Sequence, residues 1–395
     1  MTVAVPATAE VLAAAREVAA RLAVRADQHD REGSFSQANI DALWEAGIGS
    51  ISLPERHGGP GMRLRTTAQA VGTIATGDAS TALVWVMHLI HLQVLADDSF
   101  GLDPAVRERV FASALEGPAL INALRVEPEL GTPARGGIPA TRAVPGPDGF
   151  RVTGRKVFST GSYGLRWMVV WAATSEDDPA GHRTGPFLVP GDAPGISIDE
   201  TWDHLGMRAS ASHDVVFDDT PIPADHAAAL KPAGTFDSGL RTPLVMGWML
   251  VLLLSVYDGV AQAARDWLAR YLNERVPTNL GAPLASLPRF QAAVGEIDAL
   301  LHANARVLGS LADDLDVGGE ASERAGRDAA LAKVVVTRNV IAVAEQAVSL
   351  VGNAGLTRHH PLQRHLRDAL CSRIHSPQDD TILTNAGRAA LERGG

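Results

Sequence analysis

The side chains in this sequence best suited to move a proton near neutral pH are a few histidines and one acidic pair. His375 ends the run Arg367-Asp-Ala-Leu-Cys-Ser-Arg-Ile-His375. A neutral imidazole there could donate a hydrogen bond or shuttle a proton; it also reads as a satisfied surface or interface histidine. His88 and His91 lie three apart on an apolar helical stretch, so they are neighbours on that helix. They read as a proton-handling pair or as core histidines. No third ligand accompanies them, and His359–His360 has no supporting spacing, so no metal site is expected. Asp379–Asp380 could supply a carboxylate base, or cap a final helix at its positive end. Tyr257 and Asp258 close an otherwise apolar run; a buried acid is costly unless paired, so Asp258 lies at a polar interface or near a substrate.

Three regions must position these groups. Residues 1–118 have a helical pattern: Val11 to Asp30 and Gln37 to Ala46 repeat apolar residues every three or four, and a long stretch runs from Thr66 to Asp97. Gly58-Gly-Pro-Gly61 marks a loop between them. Residues 119–232 change texture to short β-rich runs, among them Lys156 to Ser159, Trp167 to Ala173 and Asp214 to Phe217. Helices do not alternate with these runs, so a doubly wound sheet is not expected and an antiparallel barrel or sandwich is. Residues 233–395 return to helix near 238–275, 287–315, 321–351 and 361–371, which predicts an antiparallel four-helix bundle. The fold class is α+β, mostly α.

Bulk properties exclude several partners. The chain has 395 residues, 46% hydrophobic and 20% charged, with a net charge of −10. No clustered basic surface is evident, which argues against nucleic acid. Cys371 is the only cysteine, fitting a reducing cytoplasm, and the first ten residues lack a signal-peptide pattern. The most apolar run, Leu244 to Tyr257, is too short to span a bilayer. Being apolar all round, it is expected in a bundle core or subunit interface.

Four motifs in order carry a resemblance. They are Glu127-Pro128, Gly149-Phe-Arg-Val-Thr-Gly-Arg-Lys-Val-Phe-Ser-Thr-Gly161, Leu205-Gly-Met-Arg-Ala-Ser-Ala-Ser-His-Asp214, and Val351-Gly-Asn-Ala-Gly-Leu356 followed by Pro361-Leu-Gln-Arg-His-Leu-Arg-Asp-Ala369. Together the chain resembles the acyl-CoA dehydrogenase superfamily over almost its whole length. The resemblance implies a flavin, FMN or FAD, between the β domain and the C-terminal bundle, usually in a homotetramer. It implies that Lys156 to Gly161, including Ser159, runs past the flavin ring. Phe158 would pack on the ring, and the Thr160 hydroxyl would bond its N5 edge. Leu124, Val126, Gly131 and Thr132 match the segment beside the pyrimidine and ribityl parts. Arg275, Gly352, Asn353 and Gly355 match the segments around the dinucleotide half.

The departures from that family are as informative. A dehydrogenase acting on a thioester needs a carboxylate to take the α-proton while flavin takes the hydride. Ser376 stands where that Glu is usual, and Met249 at the alternative position on the helix opening the bundle. Arg275 is not followed by Phe-Gly, and Ser349 replaces the Gln before the glycine loop. These changes favour FMN, or a reduced flavin received from a separate reductase. The pattern is similar to the reduced-flavin monooxygenase branch, of the dibenzothiophene monooxygenase kind, with His375, Thr160 and His88 as its catalytic set. Such chemistry needs a dry pocket and a hydrogen-bond donor near the reacting oxygen. Two other readings remain: an FAD-dependent acyl-CoA dehydrogenase with a displaced base, and a catalytically silent assembly subunit. The substrate would be a small molecule.

Overall fold

The computed structural model describes residues 6–130, 137–235 and 242–392. Helices α1 (Thr8–Glu32), α2 (Gln37–Glu45), α3 (Leu64–Gly77), α4 (Ala79–Ala96) and α5 (Pro104–Glu116) form the first layer. The helical stretch expected to be continuous from residue 66 to 97 is broken at Asp78. That residue leaves the helical region (φ −148°), and its carboxylate accepts from Ser80 N at 3.0 Å and Thr81 N at 3.3 Å, starting α4. Asn39 and Thr81 donate to the same carboxylate, so the buried acid is fully engaged. Gly77, the last residue of α3, must lack a side chain because one would strike Ala19 O of α1 at 2.2 Å.

The second layer is one sheet. Its strands are β1 (Leu120–Leu124), β2 (Arg142–Gly146), β3 (Gly149–Lys156), β4 (Leu165–Ala173), β5 (Arg183–Pro190), β6 (Ile196–Asp199), β7 (Asp214–Pro223) and β8 (Lys231–Pro232). Their order is β6-β7-β3-β2-β4-β5-β8, with β1 on β4. The sheet is mixed, which corrects the all-antiparallel expectation. β1 pairs β4 in parallel from Ile121↔Trp167 to Leu124↔Val170, and Arg142 and Ala173 form a parallel pair. The long connection through the β2–β3 hairpin lets β4 return in the same direction as β1.

The third layer comprises α6 (Pro243–Glu274), α7 (Pro288–Val317), α8 (Gly319–Val351), α9 (Asn353–Leu356), α10 (Leu362–Leu370) and α11 (Asp379–Glu392). The apolar run 244–257 is part of a helix more than twice its length, and it is not buried throughout. Leu250 to Ala261 are core, whereas Leu244 is exposed and Met246, Trp248 and Met249 are half-covered. By length and composition, α4, α6 and α8 could cross a membrane, which the 14-residue run alone did not suggest. The most apolar windows of α4 and α6 are 89% and 72% buried inside the protein, so most of that apolar surface packs against other elements; in α8 the share is 50%. Arg367 on α10 clamps Asp30 of α1 (2.5 and 3.0 Å), and Arg364 faces Asp27 (3.1 Å). These pairs tie the first and third layers together.

Candidate active site

β3 ends at Lys156, so the expected strand over 156–161 is instead an extended arch strapped by main-chain bonds. Val157 N donates to Val126 O (3.0 Å), Ser159 N to His213 O (3.1 Å) and Gly161 N to Ser210 O (2.8 Å). At its crown Phe158 adopts φ +58°, a costly conformation for an aromatic residue, and the residue is 55% exposed. Trp202 and His204, stacked at 3.6 Å, stand edge-on to it with centroids 6.3 and 5.9 Å away. A cleft of about 300 Å³ opens between Phe158, Trp202, His204, Ser212 and Val126.

The arch is anchored beneath by a buried ion pair. Lys156 Nζ donates to Glu127 Oε1 at 2.6 Å and to Trp171 O at 2.5 Å, and Glu127 also accepts from Ala140 N, Thr141 N and Thr141 Oγ1. Burial pushes the Glu127 carboxyl up, yet Lys156 and Thr141 together outweigh it and hold it below its usual range. Burial pushes Lys156 down to about 8 against the pull of Glu127.

Beside Phe158 lies a short hydroxyl chain. Thr160 Oγ1 is 2.9 Å from Ser212 Oγ, which is 2.7 Å from Ser210 Oγ, and Asn122 Nδ2 fixes Thr160 O at 2.9 Å. Ser159 Oγ is buried with no partner among the described residues. An exposed aromatic face, a rail of hydroxyls and an orphaned buried hydroxyl fit a planar, polar-edged ring such as a flavin. Val126 lines the cleft, and Leu124 is buried at the end of β1. Gly131 and Thr132 lie outside the described residues.

The C-terminal bundle packs through α10 against the loop that precedes this cleft. Asp368 Oδ1 accepts from Met207 N at 2.7 Å, and Gly206 admits Arg367 O so closely that a side chain there would sit 2.4 Å from it. α10 is therefore seated on the loop that leads into Ser210 and Ser212. Beyond it, His375 Nε2 meets the hydroxyl of Tyr257 on α6, ring centroids 5.5 Å apart. Burial, with the Lys333 charge nearby, pushes His375 down to about 4, so the imidazole is neutral at pH 7. Met249 and Ser376 put no carboxylate here. The acids nearby are already engaged: Asp379 with buried Lys333 (3.0 Å), Asp368 with Met207 N, and Asp258 with Asn304 (2.9 Å) and Gln262 (2.6 Å). Asp258 is thus a paired core acid of the bundle.

Several residues expected at the site lie away from this chain's own arch. His88 faces away from the cleft: it is fully buried, 3.3 Å from Ser50 Oγ and beside the Trp44 ring, and burial pushes it down to about 3. His91, one turn on, faces β1 beside Ala123, Arg125 and Trp171. Arg275 lies about 27 Å further along α6 than Tyr257 at 1.5 Å per residue, so the chain does not bring it to its own arch. Gly352, Asn353 and Gly355 sit at that same far end, where His360 packs on Trp267 and Tyr271. Arg208 and Asp214 serve structure, as their motif position allowed: Arg208 holds Asp203 and Asp30 O, and Asp214 holds Arg155. Sequence reasoning missed Tyr257 as a partner of His375, and the hydroxyls of Ser210 and Ser212; the break in the apolar run at Tyr257 was the available signal.

His88, His91 and His375 all have folded-state values below the ordinary 6.5 (about 3, 4 and 4). The folded state then binds fewer protons than the unfolded chain, so their contribution is full above pH 6.5 and is lost as pH falls toward 4. Melting temperatures measured from pH 7 to pH 4 should fall steeply across that window. His88→Gln should flatten part of the drop.

Comparisons with known proteins identify the family. Models of the acyl-CoA dehydrogenase N-terminal, middle and C-terminal domains match residues 6–100, 126–220 and 253–379. The chain belongs to the acyl-CoA dehydrogenase family of flavoproteins. A putative acyl-CoA dehydrogenase, YdbM of Bacillus subtilis, is 33% identical over 93% of both chains. L-evernosamine nitrososynthase of a Micromonospora species is 31% identical over 90% of this chain and 84% of its own. Among solved structures, KijD3 with FMN and dTDP-3-amino-2,3,6-trideoxy-4-keto-3-methyl-D-glucose has a TM-score of 0.83 at 30% identity, covering 98% of this chain and 94% of that one. FMN-bound TdsC from Paenibacillus sp. A11-2 has a TM-score of 0.86, covers 97% of each chain and, at 24% identity, shows the fold alone.

Proposed function

We propose that this chain is a monooxygenase that uses reduced flavin, FMN in preference to FAD, and O₂. One observation carries the reading: both positions expected for a carboxylate base hold Met249 and Ser376, while a neutral histidine, His375, stands next to Ser376. When bound, reduced flavin supplies the electrons that activate O₂. The chain's own residues do the rest. Phe158 would support the ring, and the Thr160 hydroxyl would hydrogen-bond its edge. His375, being neutral, offers an N–H hydrogen bond to the reacting oxygen rather than acting as an imidazolium acid. The half-covered apolar side chains Met246, Trp248 and Met249 keep water from the pocket.

Arg275 and Gly352–Gly355 would reach a flavin only from another copy, which suits a homotetramer. A separate reductase would supply the reduced flavin in the cytoplasm. The co-crystallised ligand of KijD3 makes amino sugars on nucleotides the first substrate class to try.

The test is ¹⁸O₂ with reduced FMN and a panel of a dTDP-amino sugar, indole and dibenzothiophene. One ¹⁸O atom in an organic product supports the proposal. Anaerobic bleaching of bound FAD by butyryl-CoA, with no ¹⁸O product, would replace it with dehydrogenation. Phe158→Ala should weaken reduced-FMN binding about 3- to 10-fold in anaerobic titration, since a ring contact of this kind is lost.

A further inference from the structure

We infer that Tyr257 is a positioning residue: its hydroxyl donates to Nε2 of His375 and so fixes the imidazole as the tautomer with its proton on Nδ1. The assignment of function to this tautomer rests on the proposal above; the tautomer itself rests on geometry.

A tyrosine hydroxyl has one proton, and a neutral imidazole has one N–H and one bare nitrogen. Tyr257 is 1% exposed, and its hydroxyl has a single partner among the described residues, His375 Nε2. Were Nε2 to carry the proton and donate, the Tyr257 proton would be left in the core with no described residue to accept it. Buried donors are rarely left so. The remaining arrangement has Tyr257 donating and Nε2 accepting, which puts the imidazole proton on Nδ1. Nδ1 has no hydrogen-bond partner among the described residues. It is the nitrogen that the Tyr257 bond leaves for a bound molecule.

The surroundings favour the neutral pair. On α8, Lys333 disfavours a second positive charge at His375; it is held by Asp379 of α11. Around Tyr257, burial together with Cys371 and with Asp368 of α10 pushes the phenol well above its ordinary range, so it remains a donor. A donor to the bare nitrogen stabilises the unprotonated ring, in line with the depressed value of His375. A histidine on a flexible terminal segment could present either nitrogen. This one is set by a residue from the middle of a rigid helix, and the pre-organised N–H needs no rearrangement when a substrate arrives.

The experiment is heteronuclear NMR on flavin-free protein labelled with ¹⁵N-histidine, with the His375 signals assigned by their loss in His375→Asn. In the wild type, Nε2 should resonate as a bare, pyridine-like nitrogen and Nδ1 as a protonated, pyrrole-like one. In Tyr257→Phe the two tautomers should mix, and the His375 titration should move up by about one pH unit. A wild-type ring protonated on Nε2 would overturn the inference without any variant being needed. So would a Tyr257→Phe protein, folded by circular dichroism, whose tautomer and titration match the wild type. Should the tautomer hold while ¹⁸O₂ chemistry fails, the proposed function falls and the Tyr257–His375 pairing stands.

Discussion

His375→Ala is expected to lower the yield of oxygenated product per turnover by about 10²–10³-fold. That is the usual cost of deleting one pre-organised hydrogen-bond donor from a dry site where charge develops. The imidazole is neutral at pH 7, since burial and Lys333 depress it to about 4, so the substitution removes an N–H and no charge. Reduced FMN should still bind within a few-fold of the wild-type affinity, because its proposed supports, Phe158 and the Thr160–Ser212 hydroxyls, belong to the other wall. Its electrons should then pass to O₂ and leave as H₂O₂. The check is a balance of ¹⁸O product against H₂O₂ and FMN oxidised. Equal product yields from the two proteins would remove His375 from the account.

The second large effect lies beneath the arch. Glu127→Ala should cost about 3–5 kcal/mol of stability, because it leaves the Lys156 ammonium buried without its counter-charge. It also frees Ala140 N, Thr141 N and the Thr141 hydroxyl. Lys156→Met should destabilise comparably by stranding Glu127. The double substitution Glu127→Leu/Lys156→Met should cost less than the sum of the two, since an apolar pair leaves no lone charge. Glu127 is held below its ordinary 4.5, so its contribution is present above that value and fades as pH falls through the folded-state value. Urea titrations of the four proteins at pH 7 and pH 4 test both statements. The same variants should loosen flavin binding, because Val126 and Phe158 hang from the two ends of this pair.

Much of the scaffold was legible from local pattern. Apolar spacing located α1, α2 and the long bundle helices to within a few residues, since amphipathic helices write their buried face into the chain. The break at Asp78 was missed because the apolar pattern continues across it; only the capping carboxylate reveals it. Parallel pairing of β1 with β4 depends on a long connection that no short window contains.

For the site, the motif singled out the segment that forms the arch around Phe158 and Thr160. Helical direction decided what spacing could not: His88 and His91 share a helix, yet one faces Ser50 and Trp44 while the other faces β1. Likewise, Tyr257 and His375 are 118 residues apart, and only the packed bundle makes them neighbours.

Anaerobic titration of the flavin-free chain with reduced and with oxidised FMN tests the central claim most directly. A reduced-flavin site built from Phe158, the Thr160 hydroxyl rail and a neutral His375 should hold the reduced form at least ten-fold more tightly. Tight retention of oxidised FAD, with equal or weaker binding of reduced FMN, would contradict it.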